Sequence, residues 1–354
     1  MEKIGIKSKL YDYSVEFIDD FSATVKTFAD TTVYVIDKNV YALYQEQFAE
    51  LDAAKIYFMD AVEKKKNMDT VMDIIGFMQK LGVRKNWKLV CFGGGITQDV
   101  TTVAADLFLR NIDWYFFPTT LLAMSDSCIG GKCGINFGEY KNQIGVFYPP
   151  KRIFIDTRFI DTLSHMDYLN GWGEILKFSL TKERDFYEQV KQEKQYFPCA
   201  EIRKYIQKGL LVKKEIIEED EFESDLRRVL NYGHTFGHAL EAYTAYEVPH
   251  GEGVIWGMDV VNYLACKEGL IGEEYYLEIK QLIKEFFIQK EIIISNPDQL
   301  FDIIKTDKKV RGNELSFAML NGASRLVIHP MKIDDRLNKL FKDYLEETHA
   351  YYCH

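Results

Sequence analysis

Basic charge is scarce in this chain of 354 residues: 44 Lys and Arg face 54 Asp and Glu, a net charge of -10. A general nucleic-acid binder needs a basic face to neutralise phosphates, so that class is excluded. A small basic site for an anionic metabolite is not. No run approaches the ~20 apolar residues that a membrane helix requires, which gives no membrane partner. The opening "MEKIGIKSKLYDYSV" holds no apolar signal core. The six cysteines form no C-x-x-C pair, and several sit in apolar runs. They read as reduced, mostly buried thiols of an intracellular, cytoplasmic protein. Histidine is rare too, with 7 in the chain, yet three fall within "RVLNYGHTFGHALEAYTAYEVPHGEGV" (228–254).

The length exceeds what one hydrophobic core usually supports, which predicts two domains. The first half alternates strand and helix signals. "VYVID" (33–37), "KIYFMD", "KLVCFGGG", "WYFFPTT" and "RIFIDT" (152–157) read as strands. "NVYALYQEQFAEL", "MDTVMDIIGFMQKLGV" and "DVTTVAADLFL" read as the helices among them. That order implies a parallel sheet covered on both faces. After about residue 160 the signals are helical, apart from a hairpin predicted in "LSFAMLNGASRLVI" (315–328). The expected fold class is α/β + α, with a sheet domain over 1–160 and a helical domain over 161–354.

Three stretches carry chemistry. In "CFGGGITQD" glycines follow a strand and open a helix, where backbone can approach a pyrophosphate and free N–H groups can receive it. The spacing is not G-x-G-x-x-G, so a tight strand-to-helix turn explains it equally well. "SDSCIGGKCGINFGEYKNQIGVFYPP" reads as a long glycine-rich loop without helix or strand period, carrying Asp126, Lys132, Lys141 and Asn142. Such loops are usually functional, and cationic and amide groups suit an anion. In the histidine window, His234 and His238 are one helical turn apart. No glutamate follows His234, so the H-E-x-x-H pattern is not met. Spacing alone leaves open which groups, if any, bind a metal.

Taken together, "GGGITQD", "PTTLLAMSDSCIGGK", "YKNQIG", "GEILK", "LRRVLNYGHTFGHALE" and "PHGEGV" resemble the 3-dehydroquinate synthases of the sugar-phosphate cyclase family, in order and spacing, from about Val33 to Gly312. The resemblance implies a Rossmann-like NAD-binding domain followed by a mainly helical metal-binding domain, with the active site between them. It implies Zn2+ (or Co2+) held by Glu174, His234 and His250, and assigns His238 to protons and the substrate phosphate. Asp126, Lys132, Asn142, Lys177, Lys213, Arg227 and Asn231 match the substrate set. Arg110 matches an arginine that reaches a neighbouring subunit's substrate, which implies a homodimer. Asp37, Asn39, Glu63, Lys66, Gly94, Gly95, Asp99, Thr119, Thr120, Lys132, Phe159 and Thr162 match the NAD contacts. A further lysine maps to Lys308 or Lys309.

The implied reaction turns a seven-carbon keto-acid phosphate, 3-deoxy-D-arabino-heptulosonate 7-phosphate, into the carbocycle 3-dehydroquinate with loss of phosphate. The planar fork of Arg227 suits the substrate carboxylate better than lysine would. The chain departs from the family pattern at Gln98, where glycine is common, at "EY" before Lys141, and at the cysteines of "SCIGGKCG". These departures bear on substrate identity. The rival readings are a related cyclase with another substrate, a metal-dependent NAD alcohol or polyol dehydrogenase, and a catalytically silent NAD-binding protein.

Overall fold

The computed structural model describes residues 2–28, 30–138, 140–182, 184–193, 201–286, 292, 294–305 and 310–352. Strands β1 (Glu2–Ile6), β2 (Tyr13–Phe17), β3 (Thr32–Asp37), β4 (Ile56–Met59), β5 (Lys88–Gly93), β6 (Asp113–Pro118), β7 (Lys132–Phe137), β8 (Tyr140–Phe147) and β9 (Arg152–Ile155) precede β10 (Val310–Arg311), β11 (Glu314–Leu320) and β12 (Leu326–Lys332). The helices are α1 (Phe21–Val25), α2 (Lys38–Leu43), α3 (Met68–Lys80), α4 (Gly95–Leu107), α5 (His165–Thr181) and α6 (Arg184–Glu193), then α7 (Ile202–Glu219), α8 (His234–Tyr243), α9 (His250–Lys267), α10 (Glu273–Phe286), α11 (Pro297–Lys305) and α12 (Asp335–Tyr352).

β3 is buried at every residue and β5 at all but its first. Continuous apolar runs of this kind belong to strands covered on both faces. They lie inside a seven-stranded sheet of order β1-β2-β9-β6-β5-β3-β4, parallel except for the β1–β2 pair. The chain moves from β3 to β4 on one side and then to β5 on the other. The carboxyl ends of β3 and β5 therefore flank a switch point, where open α/β sheets bind ligands. Stacked rings fill the space behind it: Phe92 lies 4.2 Å from Phe117, which lies 4.8 Å from Phe154.

Packing divides the chain into two compact units, Met1–Ser164 with Lys214–Phe222, and His165–Lys213 with Glu223–His354. The excursion 214–222 is tied to the amino-terminal segment by bonds from the Lys7 amide to Glu218 (2.7 Å) and the Lys9 amide to Glu221 (2.6 Å). The regular structure among the described residues of the second unit is helical apart from the sheet β10-β11-β12, which contains the hairpin expected at 315–328.

The expected long loop over 125–150 is corrected. Lys132–Phe137 and Tyr140–Phe147 form an antiparallel pair, β7–β8, irregular between Ile135 and Phe137. Glycines hid it, because they carry no side chain to alternate. Gly145 is required there: a Cβ would stand 2.2 Å from the Cys133 carbonyl oxygen. Strands β1 and β2 give no turn signal strong enough to be read from sequence. The helix expected over 39–51 regularises only as far as Leu43. No helix among the described residues is long and apolar enough to cross a membrane.

Candidate active site

In the first unit the glycine loop sits at the carboxyl end of β5. Gly94 is the N-cap of α4 and supplies no side-chain bond to the helix amides. A Cβ on Gly93 would fall 2.5 Å from Thr97 Cβ, and one on Gly95 would meet nothing closer than 4.0 Å. The result is a backbone cradle with uncapped amides at the start of a 13-residue helix, a fit for the pyrophosphate of a dinucleotide. Around it stand Asp37, which ends β3 and accepts from the Asn39 amide (2.8 Å), and Thr119, whose amide donates to the Gly93 carbonyl (2.9 Å). Thr120 borders Gly94. After β9, Phe159 packs 4.7 Å from Phe21, and Thr162 Oγ1 lies 3.0 Å from the Tyr44 hydroxyl.

Beyond β4, Lys66 Nζ pairs with Asp99 (2.6 Å) and donates to Asn142 Oδ1 (2.8 Å). Burial pushes the Asp99 pKa up, against the pull of the Lys66 ammonium. Asn142 has a left-handed backbone (φ 53°), held by a bond from its amide to Asn136 Oδ1 (3.0 Å). Asn136 also donates to Glu63 (2.8 Å). Asp126 lies in a π-turn over Ala123–Ser127, and Lys132 opens β7. Such turns are frequent at functional sites. Gln98 spans both segments: its amide nitrogen donates to the Ser127 carbonyl (2.8 Å), and its oxygen accepts from Ser127 Oγ (2.7 Å). The departure at Gln98 thus clamps the glycine-loop helix to the turn bearing Asp126. Burial pushes the thiols of Cys91 and Cys133 up, so neither is a ready nucleophile.

Arg110 is exposed, on a turn in which Leu109, Arg110 and Asn111 are all left-handed (φ 52°, 55° and 69°). The Lys85 ammonium binds the backbone oxygens of this turn, at 3.2 Å for Leu109 and 2.6 Å for Arg110.

In the second unit, α5, α8 and α9 bring Glu174, His234 and His250 together. Close backbone approach does this. A Cβ on Gly173 would lie 2.6 Å from the Gly251 carbonyl oxygen, and one on Gly257 would lie 1.9 Å from that of Gly233. Each of the three residues is a neighbour in sequence of a glycine at such a contact. Glu174 is fully buried, and its Oε1 lies 3.5 Å from His234 Nε2 and 3.4 Å from His250 Nε2. Ligands bonded at ~2.1 Å to one tetrahedral cation stand ~3.4 Å apart, so both separations from Glu174 Oε1 have the dimensions of a metal centre. Glu174 Oε2 is ion-paired to the Lys177 ammonium, while the buried Oε1 makes no hydrogen bond of ordinary geometry, which a cation would remedy.

The other ring nitrogens are occupied. His234 Nδ1 lies 3.0 Å from the Tyr232 carbonyl oxygen, and His250 Nδ1 lies 2.9 Å from Glu241 Oε1. Burial raises the Glu174 pKa, but the Lys177 ammonium, ion-paired to it, and the two imidazoles outweigh this and hold it well below the usual carboxylate range. Burial and then Lys177 lower His234. Burial also opposes protonation of His250, but Glu174 and Glu241 win and push it up to about 10. His238 is exposed, and its ring centroid is 5.4 Å from that of His234. Its ligand atom lies within 4.8 Å of those of His234 and His250, so the three imidazoles also form a group that could hold a metal ion. Glu174 and His238 both stand close enough to complete a set with His234 and His250.

Arg227 and Lys213 are buried in the same unit. Asn231 donates to Glu223 (2.8 Å). Lys308 and Lys309 lie outside the described residues.

Family models describe both halves of this arrangement: 3-dehydroquinate synthase N-terminal over residues 56–170, and 3-dehydroquinate synthase C-terminal over 171–310. The chain belongs to the 3-dehydroquinate synthase family. It is 33% identical over 301 residues to the 3-dehydroquinate synthase of Alkaliphilus metalliredigens (strain QYMF), covering 83% of this chain and 85% of the relative. It is 30% identical over 351 residues to that of Campylobacter curvus (strain 525.92), covering 97% and 99%. Among solved structures it matches 2-epi-5-epi-valiolone synthase from Streptomyces hygroscopicus subsp. jinggangensis 5008, which has NAD+ and Zn2+ bound, at 26% identity and a TM-score of 0.86, covering 96% and 98%.

Some groups that shape this family member's site escaped the sequence reading. Glu241 follows His234 by seven residues, two turns along the same face, so helical period could have found it. Asn136 and Lys85 carry no sequence signal, because their partners come from distant segments.

Proposed function

We propose that the chain is an NAD- and metal-dependent phosphorus–oxygen lyase that cyclises 3-deoxy-D-arabino-heptulosonate 7-phosphate to 3-dehydroquinate, with release of phosphate, in the shikimate pathway. The observation that carries this is the approach of both imidazole Nε2 atoms to one buried oxygen of Glu174, at 3.4 and 3.5 Å. Glu174, His234 and His250 would hold Zn2+ or Co2+. The cradle of Gly94 and Gly95, with Asp37, Asn39, Glu63, Lys66, Asp99, Thr119, Thr120, Phe159 and Thr162, would hold NAD. When bound, the two groups supply Lewis acidity at vicinal hydroxyls and a reversible hydride sink.

The chain's own side chains do the rest. Arg227 would pair with the substrate carboxylate, beside Asn231. Lys132, Asn142 and His238 would receive the phosphate, which would itself accept a proton as it leaves; Asp126, Lys177 and Lys213 complete the substrate set. Lys177 already compensates the Glu174 charge, which keeps that carboxylate anionic in a buried setting. Arg110 would serve a neighbouring copy, so the working form is a cytoplasmic homodimer, with residues 1–160 as the NAD domain and 161–354 as the metal and substrate domain.

The test is phosphate release from a panel of sugar phosphates with and without a carboxylate, after chelation and metal add-back. Metal-dependent phosphate release without net NADH, confined to the carboxylate-bearing substrate, is the expected result. Turnover of a carboxylate-free sugar phosphate instead would favour a cyclase like the valiolone synthase. Net NADH without phosphate would overturn both.

A further inference from the structure

The Glu241 carboxylate lies against a proposed metal ligand, His250, on the side away from Glu174. It sits on the last turn of α8, only 6% exposed, and meets His250 where α9 begins. Oε1 lies 2.9 Å from His250 Nδ1 and would stand 3.6 Å from a Cβ on Gly253, in the first turn of the same helix. Pro249, the N-cap of α9, provides no side-chain cap. A carboxylate there complements the positive end of an 18-residue helix as well as the imidazole.

We propose that Glu241 is a positioning residue of the metal centre. An ionised carboxylate only accepts hydrogen bonds, so the Nδ1 it contacts must carry the proton. When a cation displaces the second ring proton, Nε2 of His250 supplies its lone pair on the side where Glu174 Oε1 lies 3.4 Å away. His234 is fixed in the same tautomer by the Tyr232 carbonyl, a neutral acceptor, at 3.0 Å. The two imidazoles are thus presented alike, but only His250 leans on a full negative charge, which raises its basicity as a ligand. The inference rests on the metal reading above, and it fixes which nitrogen binds and what holds it there.

The experiment measures Zn2+ affinity by competition with a chromogenic chelator, and the visible spectrum of the Co2+-loaded protein, for the parent, Glu241→Gln and Glu241→Ala. Partners of this kind are typically worth 10–100-fold in metal affinity. We expect that loss in Glu241→Ala with an altered Co2+ spectrum. Glu241→Gln keeps an acceptor of the same shape and should fall between Ala and parent. Unchanged affinity and spectrum in either folded variant would overturn the proposal, even if the unfolding temperature fell. A parent that binds no ion would instead remove the metal reading itself, and the proposal with it. If Glu241→Ala does not fold, the isosteric Glu241→Gln decides.

Discussion

Gly257→Ala is the sharpest test of how the helices set the site. A Cβ at 257 would stand 1.9 Å from the Gly233 carbonyl oxygen, 2.8 Å from the Gly237 nitrogen and 2.9 Å from the Gly233 carbonyl carbon. All three are backbone atoms, so no rotamer change relieves them. Gly233 is left-handed (φ 77°), and Gly237 donates back to it at 2.9 Å, which leaves that turn little freedom. Restoring an ordinary contact of ~3.4 Å means moving α8 from α9 by ~1.5 Å, since close-packed interiors do not absorb such overlap. Overpacking of this kind costs about 1–3 kcal/mol, occasionally more. His234 follows Gly233 directly, so it moves away from His250. One cation with bonds of ~2.1 Å cannot join ligand atoms more than ~4.2 Å apart. The variant should therefore melt lower and lose Zn2+ affinity by ~10–100-fold, the typical scale when the groups that position metal ligands are disturbed. Equilibrium dialysis with metal analysis, alongside thermal unfolding, reads both. Parent-like Zn2+ binding in folded Gly257→Ala would refute the reasoning.

Gly76→Ala is the matching control. That glycine lies inside α3, and a Cβ there meets nothing within 4 Å. Alanine should stabilise the protein by about 0.5–1 kcal/mol in a denaturant titration, with metal binding unchanged. His238→Ala should abolish phosphate release while Zn2+ stays bound, because the Glu174 contacts involve the other two imidazoles; loss of the ion by dialysis would make His238 a ligand. Glu16 gives a pH test. Burial pushes its carboxyl up, but Arg152, donating from Nε at 2.9 Å, more than reverses this and holds the pKa below the usual value. A depressed folded pKa means that the stabilisation is complete above the unfolded pKa of ~4.3 and is lost as pH falls through the folded value. The melting difference between parent and Glu16→Gln should thus be largest near neutral pH and shrink below about pH 4; a constant difference from pH 7 to 3 would contradict it.

Much of this protein could be read along the chain, because the deciding information was local. Apolar runs such as "VYVID" and "KLVCFGGG" are long enough to announce buried strands, and the glycines after the second announce a turn into a helix. Helical period placed His234 and His238 on one turn, and motif order supplied the family. Spacing could not show which carboxylate meets the two imidazoles. Glu174 lies on α5, 60 residues before His234, and only the crossing of α5, α8 and α9 at their glycines brings its oxygen to both imidazoles. The same holds for Glu241 behind His250 and for Asn136 between Glu63 and Asn142. Side-chain period is a property of one element, and it fades where glycine removes the side chain, as in the β7–β8 pair. Contacts between elements depend on how closely backbones approach, and that is settled by packing across the whole unit.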